Sequence, residues 1–381
     1  MLQALPKKAR SSASRPTPQT TLPASDGETQ TQTVVADAQA GTRYSARRES
    51  VLNASHDHDR RVSLVDLPRA KLAEALEVLQ RAYPGFCMVH HTDTIQRWDA
   101  PHDNVLDLKV SVILALCAGH FGRADAWSCF KLAGQQTLMS LQNTLWPRMM
   151  QRPDIDTVQC LLLISQLEWG RGNGYAAWMY TGNAVRMFQA LEDMAQVANA
   201  VPADQVSRFE ARETVWRRET TRRTYWTCFL MDRMLACSGS RPSILASPSP
   251  TIPLPSSEDD WELGVACESP VIYTPTMDGS TVSMNGPPLT IHNHFEIVIR
   301  SLDLWSHTCR WVAQGGRRQP SMHTTCPWEP SSPWHQLVVS LQGLREMLHP
   351  RMKFPETPVT LYTPRRQGER FALINLIYYC T

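Results

Sequence analysis

The segment from Glu213 to Pro242 restricts the possible folds of this chain more than any other part of it. From Arg222 to Arg233 it reads RRTYWTCFLMDR, and residues 239–242 read GSRP. Its apolar residues recur at positions i, i+3, i+4, i+8 and i+11, namely Trp226, Phe229, Leu230, Met234 and Cys237. This spacing predicts a helix with one apolar stripe along it. Such a stripe must be covered by other helices, so we expect this helix to lie in the core.

The residues that follow this helix predict where it ends, and its charged residues predict ionic partners. Gly239 can adopt the left-handed conformation that often ends a helix, and Pro242 cannot continue one. Asp232 lies near the helix C-terminus, where the macrodipole disfavours a carboxylate. We therefore expect a cation beside it, supplied by Arg241 or by an arginine of a neighbouring helix. We also expect all charged residues of the signature to act structurally: Arg222, Arg223, Asp232, Arg233 and Arg241.

The same residues resemble a known family signature. A helix-borne Arg-Arg pair, an aromatic pair, an apolar segment ending in Asp-Arg and a Gly-x-Arg-Pro turn resemble the fungal-specific transcription factor domain, the middle homology region of fungal zinc-cluster regulators. The matching residues here are Arg222, Arg223, Trp226, Asp232, Arg233, Gly239, Arg241 and Pro242. The preceding segment is similar too, with a helix from Gln159 to Leu167, a glycine-rich turn at 170–174 and a helix bearing Trp178. The resemblance covers roughly Pro68 to Thr381.

This resemblance implies an all-α, multi-helix regulatory domain of a nuclear protein that regulates DNA-templated transcription. The implied partners are the transcription machinery or other regulators, with a small effector as a further candidate. In the family, DNA and zinc are bound by a separate zinc-cluster module, which needs six cysteines starting with C-x2-C-x6-C within roughly thirty residues. No such spacing occurs among the ten cysteines of this chain, of which Cys87 is the first. We therefore expect no zinc in this chain, and DNA contact only through another module or a partner subunit.

The composition favours a globular intracellular protein. The chain has 381 residues, of which 42% are apolar and 19% charged, and it can bury a large core in one or two domains. Its net charge of +2 does not by itself indicate nucleic-acid binding. The cysteines lie mostly in apolar helical patterns without paired spacing, which predicts reduced thiols. Because the sequence has no signal peptide and no apolar run of membrane-spanning length, we expect a soluble protein that is not secreted.

Residues 1–62 form a tail of different character. They are rich in Ser, Thr, Gln, Ala, Pro and Asp and almost free of large apolar side chains. Such a segment cannot offset the entropy of ordering, so we predict that it is disordered. Within it, Lys7, Lys8 and Arg10 are a candidate nuclear-import cluster, with a merely solvated basic tail as the alternative.

Helical patterns fill much of residues 63–381, which we assign to one regulatory domain with long irregular loops. The predicted helices before and after the signature helix run from Asp66 to Tyr83, Val105 to Phe121, Arg123 to Leu145, Asp154 to Trp169, Tyr175 to Met194, Phe295 to Cys309 and Ser332 to Leu348. The helix that starts at Tyr175 is apolar on nearly every side, which predicts a central position. The Pro- and Ser-rich stretch from Ser247 to Pro288 predicts a long loop. After Arg370 another apolar pattern starts and stops at Thr381, as in a fragment, a shortened gene model or a natural truncation.

Two groups of potential metal ligands are weak. Cys117, His120 and Cys129 lie in apolar helical patterns and lack a fourth partner. His292, His294 and Glu296 alternate, and alternate residues of a helix do not share a face. We therefore predict no metal site and no catalytic residue, and we expect these histidines at the surface or at a helix start.

An acidic group offers an enzymatic alternative. Glu258, Asp259, Asp260 and Glu262 resemble the paired carboxylates that bind Mg²⁺ and diphosphate in all-helical terpene synthases. That motif belongs on a helix that lines a cavity, whereas these residues lie in the predicted loop, so we expect a solvated acidic loop. Two classes of function remain, a non-catalytic transcription regulator and a helical enzyme or small-ligand binder, and the signature favours the first.

Overall fold

The computed structural model describes residues 64–101, 104–121, 153–198, 212–236, 241–245, 247–249, 251–266, 288–318 and 325–381, together with positions 136, 139, 147, 151, 271 and 273. For residues 193–198 only the backbone is described. The predicted tail and its basic cluster therefore lie outside the described residues. So does the predicted helix from Arg123 to Leu145, apart from positions 136 and 139.

Within these ranges the chain folds into ten α-helices, and the all-α prediction is confirmed. They are Arg69–Ala82 (α1), His91–Trp98 (α2), Asn104–Cys117 (α3), Ile155–Gly170 (α4), Gly174–Ala198 (α5), Arg212–Leu235 (α6), Glu258–Leu263 (α7), His294–Ala313 (α8), Pro333–Met347 (α9) and Gly368–Cys380 (α10). The β-structure found in the described residues is one isolated parallel bridge between Leu289 and Leu348. None of the helices described is both long enough and apolar enough to cross a membrane.

Local capping explains several of the helix boundaries. The Asp154 side chain accepts a hydrogen bond from the Thr157 backbone N–H at 2.8 Å, so the predicted N-cap of α4 is confirmed. At α1 the predicted N-cap is wrong by two residues, because Asp66 lies in a 3-10 turn and Pro68 occupies the N-cap position. Helix α3 ends at Cys117, before the predicted Phe121, because the chain turns there with the His120 N–H donating to the Cys117 carbonyl.

Helix α6 is the signature helix, and it lies at the centre of the core as predicted. It packs against α4, α5, α7 and α8. Every side chain from Arg223 to Arg233 is buried, which is more than the single stripe predicted from the spacing. The buried set includes charged residues, and these therefore need partners inside the protein.

Helix α5 is not the fully covered helix that its apolar composition predicts. Tyr175 and Met179 are 77% and 59% exposed. A single face is buried, formed by Ala177, Thr181, Ala184, Val185, Met187 and Phe188. Large apolar side chains at the surface are common in folded proteins. Composition alone therefore did not distinguish a fully covered helix from one with an exposed face.

The chain after α6 returns along the helix as an extended segment, which we call the strap, comprising the described residues between Ile244 and Ser257. It leads into α7, a helix of six residues in the middle of the predicted loop. The Ser257 side chain caps α7 by accepting from the Asp260 N–H, and Gly264 ends it with a left-handed φ of 69°. Six residues are too few to show a helical period, which explains why the sequence pattern missed α7.

Candidate functional site

Arg223 lies at one end of the contact between α6 and the strap and is fully buried. Its Nε donates to Glu219 Oε1 at 3.0 Å, its Nη1 to Glu258 Oε1 at 2.6 Å and its Nη2 to the Ser256 carbonyl at 2.8 Å. The Trp261 ring lies 4.0 Å from the guanidinium carbon, a cation–π distance. Arg223 thus joins α6, the strap and α7 through one planar group, whose several donors suit this geometry.

The carboxylate of Glu258 stays ionised in this buried place. Burial by itself would raise its pKa, but the coulombic attraction of Arg223 outweighs burial and holds the pKa below the ordinary value. The neighbouring Glu219 also accepts the Ser256 backbone N–H, at 2.8 Å. The strap is therefore bonded to this ion pair through both the N–H and the carbonyl of Ser256.

A cysteine and a histidine adjoin this ion pair. Cys87 Sγ lies 3.1 Å from His294 Nε2, and His294 Nδ1 lies 3.9 Å from Glu258 Oε1. Nδ1 is fully buried and has no hydrogen-bond partner among the described residues. Burial raises the pKa of Cys87 to about 12 and lowers the pKa of His294 to about 4, so both side chains are neutral near pH 7.

Cys87, Glu258 and His294 are the group in the described part of the chain that comes closest to a metal site, with one potential ligand atom of each within 4.8 Å of the others. A metal there would need the Cys87 thiolate, which burial strongly disfavours. It would also compete with the Arg223 guanidinium for the same Glu258 oxygen. The donor set therefore fits a neutral thiol–imidazole contact beside an ion pair better than it fits a metal centre.

Asp232 lies at the other end of the contact with the strap. Its Oδ1 accepts the Ile244 N–H at 3.0 Å and its Oδ2 the Leu245 N–H at 2.9 Å. Burial raises its pKa, and these two backbone hydrogen bonds oppose the rise, with smaller contributions from Arg233 and Arg310. Strap amides are thus the main stabilising partners of this carboxylate. The cation expected beside it is present, but it is Arg233 of the same helix, whose Nη1 lies 3.8 Å from Asp232 Oδ2.

Arg241 is not the partner of Asp232 that the sequence predicted. Its Nη1 donates to the Gly174 carbonyl at 3.4 Å, and its guanidinium lies 4.7 Å from the Tyr175 ring centroid. The arginine therefore ties the turn after α6 to the start of α5. Pro242 is exposed beside it, and Gly239 lies outside the described residues.

Arg233 connects α6 to α8 as well as to the strap. Its Nε donates to Asp303 Oδ1 at 3.1 Å and its Nη1 to the Leu245 carbonyl at 2.5 Å. Asp303 Oδ2 accepts in turn from the Tyr273 hydroxyl at 2.9 Å. Arg233 and Asp303 are each about 1% exposed, so this is a second buried ion pair on the same helix.

The middle of α6 holds the strap through its aromatic pair. Trp226 Nε1 donates to the Pro253 carbonyl at 2.7 Å, and the Tyr225 hydroxyl accepts the Ser249 N–H at 2.5 Å. Arg222 is half-buried and donates to Glu219 at 2.7 Å, which reinforces the first ion pair. Residues nearer the start of α6 thus contact the end of the strap, and residues nearer the end of α6 contact its start. The strap therefore runs antiparallel to the helix.

The sequence of residues 128–279 matches the family model of the fungal specific transcription factor domain. This range contains the signature residues whose contacts are described above. Over these residues the chain is thus similar to the fungal specific transcription factor domain. The resemblance inferred from the signature is therefore confirmed.

Curated relatives of the chain are fungal transcriptional regulators by name. An uncharacterized transcriptional regulatory protein of Schizosaccharomyces pombe is 29% identical over 259 residues, which are 62% of this chain and 35% of that protein. A second from the same yeast is 27% identical over 294 residues, 74% of this chain and 29% of that protein. A Zn(2)-C6 fungal-type transcription factor of Fusarium oxysporum is 22% identical over 231 residues, 59% of this chain and 24% of that protein. The chain thus spans about a third or less of each relative, and no solved structure matches it.

The four acidic residues that raised the enzymatic alternative do not converge. Glu258 is buried against Arg223, so the expectation of a wholly solvated acidic loop is wrong for this residue. Asp259 pairs with His292 at 2.9 Å on the surface, whereas Asp260 bonds to the Ser257 cap. Glu262 is exposed on α7. The group therefore lacks the shared cavity wall that a Mg²⁺–diphosphate site needs.

The other groups considered from the sequence are also separated. His294 lies at the start of α8, as expected, but it is buried, while His292 is exposed. Glu296 pairs instead with Arg300 at 2.9 Å. The Cys117 thiol donates to the Ala75 carbonyl, whereas the His120 ring packs on Tyr83, and Cys129 lies outside the described residues. The turn at 170–174 joins α4 to α5, as its glycines predict, with Gly172 at a φ of 83°.

Proposed function

We propose that this chain acts in the nucleus as the regulatory part of a fungal transcription factor and catalyses no reaction itself. The observation that supports this proposal most directly is where the signature side chains form their hydrogen bonds. Arg223, Asp232 and Arg233 are buried and direct their hydrogen bonds to the strap and to neighbouring helices. Charged groups held in this way fix the orientation of a helix relative to its neighbours. In a catalytic site, by contrast, charged groups must be accessible to a substrate. The family match and the names of the relatives support the same conclusion.

We propose further that this chain reaches DNA through a separate zinc-cluster module or a partner subunit. Some relatives are named Zn(2)-C6 transcription factors, but these 381 residues contain no C-x2-C-x6-C spacing. Its partners are then components of the transcription machinery or other regulators. The zinc and the direct DNA contact implied by the family belong to that other module.

The enzymatic alternative, an all-helical Mg²⁺-dependent enzyme of the terpene synthase type, is less well supported. Its required acidic residues point to different surroundings, with Glu258 held by Arg223 at 2.6 Å and Asp259 held by His292. Mg²⁺-dependent turnover of farnesyl diphosphate by the purified chain would nevertheless establish the enzymatic function and overturn ours.

A tethering assay tests the proposed function. Residues 1–381 are fused to a heterologous DNA-binding domain, and a reporter carrying its operator is measured in yeast. We expect transcription to differ from that given by the DNA-binding domain alone, and the Arg233→Leu fusion to lose this effect. Arg217→Gln, at an exposed position of the same helix, is the matched control and should behave like the parent. A folded parent fusion that leaves the reporter unchanged would contradict the proposal.

A further inference from the structure

A cavity of about 170 Å³ lies between α5, α6 and the strap. Val185 and Phe188 of α5 form one wall, Tyr225 and Cys228 of α6 form another, and Leu245 of the strap closes a third side. Protein interiors are packed to crystal-like density, with few voids larger than a water molecule. A space of this size beside the buried face of α6 is large enough to hold a small ligand.

The strap spans this space without filling it. The Ser249 N–H donates to the Tyr225 hydroxyl, and that contact holds the strap across the mouth of the cavity. The Tyr225 ring packs against Phe188 with the centroids 5.5 Å apart, so the base beneath the mouth is aromatic and aliphatic. Ser247 and Gln189 line the mouth and are exposed, which leaves the cavity open to solvent.

A carboxylate stands at the rim. Glu192 lines the cavity, and its Oε1 lies 3.4 Å from Ser249 Oγ and 3.2 Å from Thr251 Oγ1. These two hydroxyls of the strap orient the carboxylate where a ligand would enter. The cavity thus combines an apolar base with one negatively charged group at its opening, the arrangement by which pockets fix the orientation of a small molecule.

We propose that this cavity binds a small organic cation, with its apolar part against Phe188 and Leu245 and its ammonium group on Glu192. A dry cavity of about 150 Å³ accepts a benzene molecule, so the apolar part is about one ring or a short branched chain. The ammonium forms a charge-assisted hydrogen bond with the carboxylate. Larger ligands are excluded by volume and anions by the charge of Glu192.

Such a ligand would touch α5, α6 and the strap together. A ligand stabilises the conformation that it binds, so its presence would favour the docked strap. The regulatory consequence alone rests on the function proposed above: in a regulatory domain, a small cation bound in this cavity would act by stabilising the docked strap.

The test uses the purified 381-residue chain and three probes of nearly equal shape: benzylamine, benzyl alcohol and benzoate. Binding is measured by ligand-observed NMR and by titration calorimetry. We expect saturable binding of benzylamine with a dissociation constant in about the millimolar range, as befits a ligand of few atoms. Benzyl alcohol should bind about tenfold more weakly, and benzoate more weakly still, because a hydrogen bond to a charged group contributes about this much.

Two variants locate the site. Glu192→Gln should weaken benzylamine about tenfold and leave benzyl alcohol nearly unchanged, whereas Glu213→Gln, at an exposed position near the start of α6, should change neither. Ser247→Trp places a large ring at an exposed position of the mouth and should abolish binding of both probes, with circular dichroism confirming the fold.

Failure to saturate with benzylamine, or unchanged binding in either cavity variant, would overturn the assignment of this site. Because the measurement needs no reporter gene, its failure leaves the regulatory function standing. Conversely, a silent tethered fusion would leave the binding site standing.

Discussion

Asp232 and Arg233, neighbours in the sequence, hold the two polar groups of one strap residue, Leu245. Asp232 Oδ2 accepts the Leu245 N–H at 2.9 Å, and Arg233 Nη1 donates to the Leu245 carbonyl at 2.5 Å. Successive residues of a helix point in different directions, so this clamp requires the strap to cross the end of α6 at one position. The Asp-Arg pair of the signature thereby determines where the strap begins its return along the helix.

Replacing Asp232 by Ala should lower the free energy of unfolding by about 3 kcal/mol, because two part-buried backbone N–H groups lose a charged, buried acceptor. Urea denaturation followed by circular dichroism measures this. Asp99→Ala is the matched control, since Asp99 forms an exposed pair with Arg69 and should cost roughly 0 to 1 kcal/mol. Equal costs for the two variants would show that the clamp does not contribute to stability.

Trp226→Ala should cost about 3 to 5 kcal/mol, because the ring is completely buried and its loss leaves a cavity. Trp226→Phe keeps much of the packing but loses the hydrogen bond to the Pro253 carbonyl, so we expect a smaller cost. Thermal unfolding compares the two variants. An unchanged melting temperature for Trp226→Ala would contradict the central position of α6.

Arg223→Met should destabilise the domain by about 3 to 5 kcal/mol, because it leaves the buried carboxylate of Glu258 without its cation and Glu219 with Arg222 alone. The double variant Arg223→Met/Glu258→Gln should be less destabilised than the sum of the single variants, which denaturant titration of all four proteins would show. Arg217→Met, exposed on α6, serves as the control. Strict additivity would mean that Arg223 and Glu258 do not interact.

The stability of the domain should fall on mild acidification because of His294. Its pKa is lowered, chiefly by burial, from 6.5 to about 4 in the folded state. Below pH 6.5 the unfolded chain binds a proton that the folded chain does not, so stability present above pH 6.5 is lost as the pH falls towards 4. The loss attributable to this group is on the order of 3 kcal/mol.

The matching measurement is the free energy of unfolding at several pH values between about 7 and 5 for the parent and for His294→Gln. The variant should show a shallower fall than the parent. Parallel curves for the parent and His294→Gln would assign the acid sensitivity to other groups.

The purified 381-residue chain should not bind DNA sequence-specifically. Its net charge of +2 gives little attraction for phosphates, and its cysteines lack the spacing of a zinc cluster. A gel-shift assay at nanomolar protein concentration and physiological salt measures this, with a zinc-cluster protein as positive control. A discrete shifted band that survives competitor DNA would contradict the prediction.

Local sequence patterns predicted the helices well where caps and apolar spacing agreed. Asp154 caps α4, and Pro333 opens α9, as their positions in the sequence predict. The pattern failed for α7, whose six residues are too few to show a period, and for α5, whose exposed Tyr175 and Met179 resemble core residues in the sequence. The failure at α5 arises because apolar residue type alone does not tell which face of a helix is covered.

Residue order alone was enough to predict the helical class and the central place of Trp226, because helix formation and capping depend on residues within about four positions of one another. The partners of the buried charges depend instead on tertiary packing. Arg223 meets Glu258 across 35 positions, and Cys87 meets His294 across 207. The sequence contains many arginines that could pair with each carboxylate, and the packing of the helices decides which of them meet in the interior. A buried charge is stable only where packing places its partner beside it.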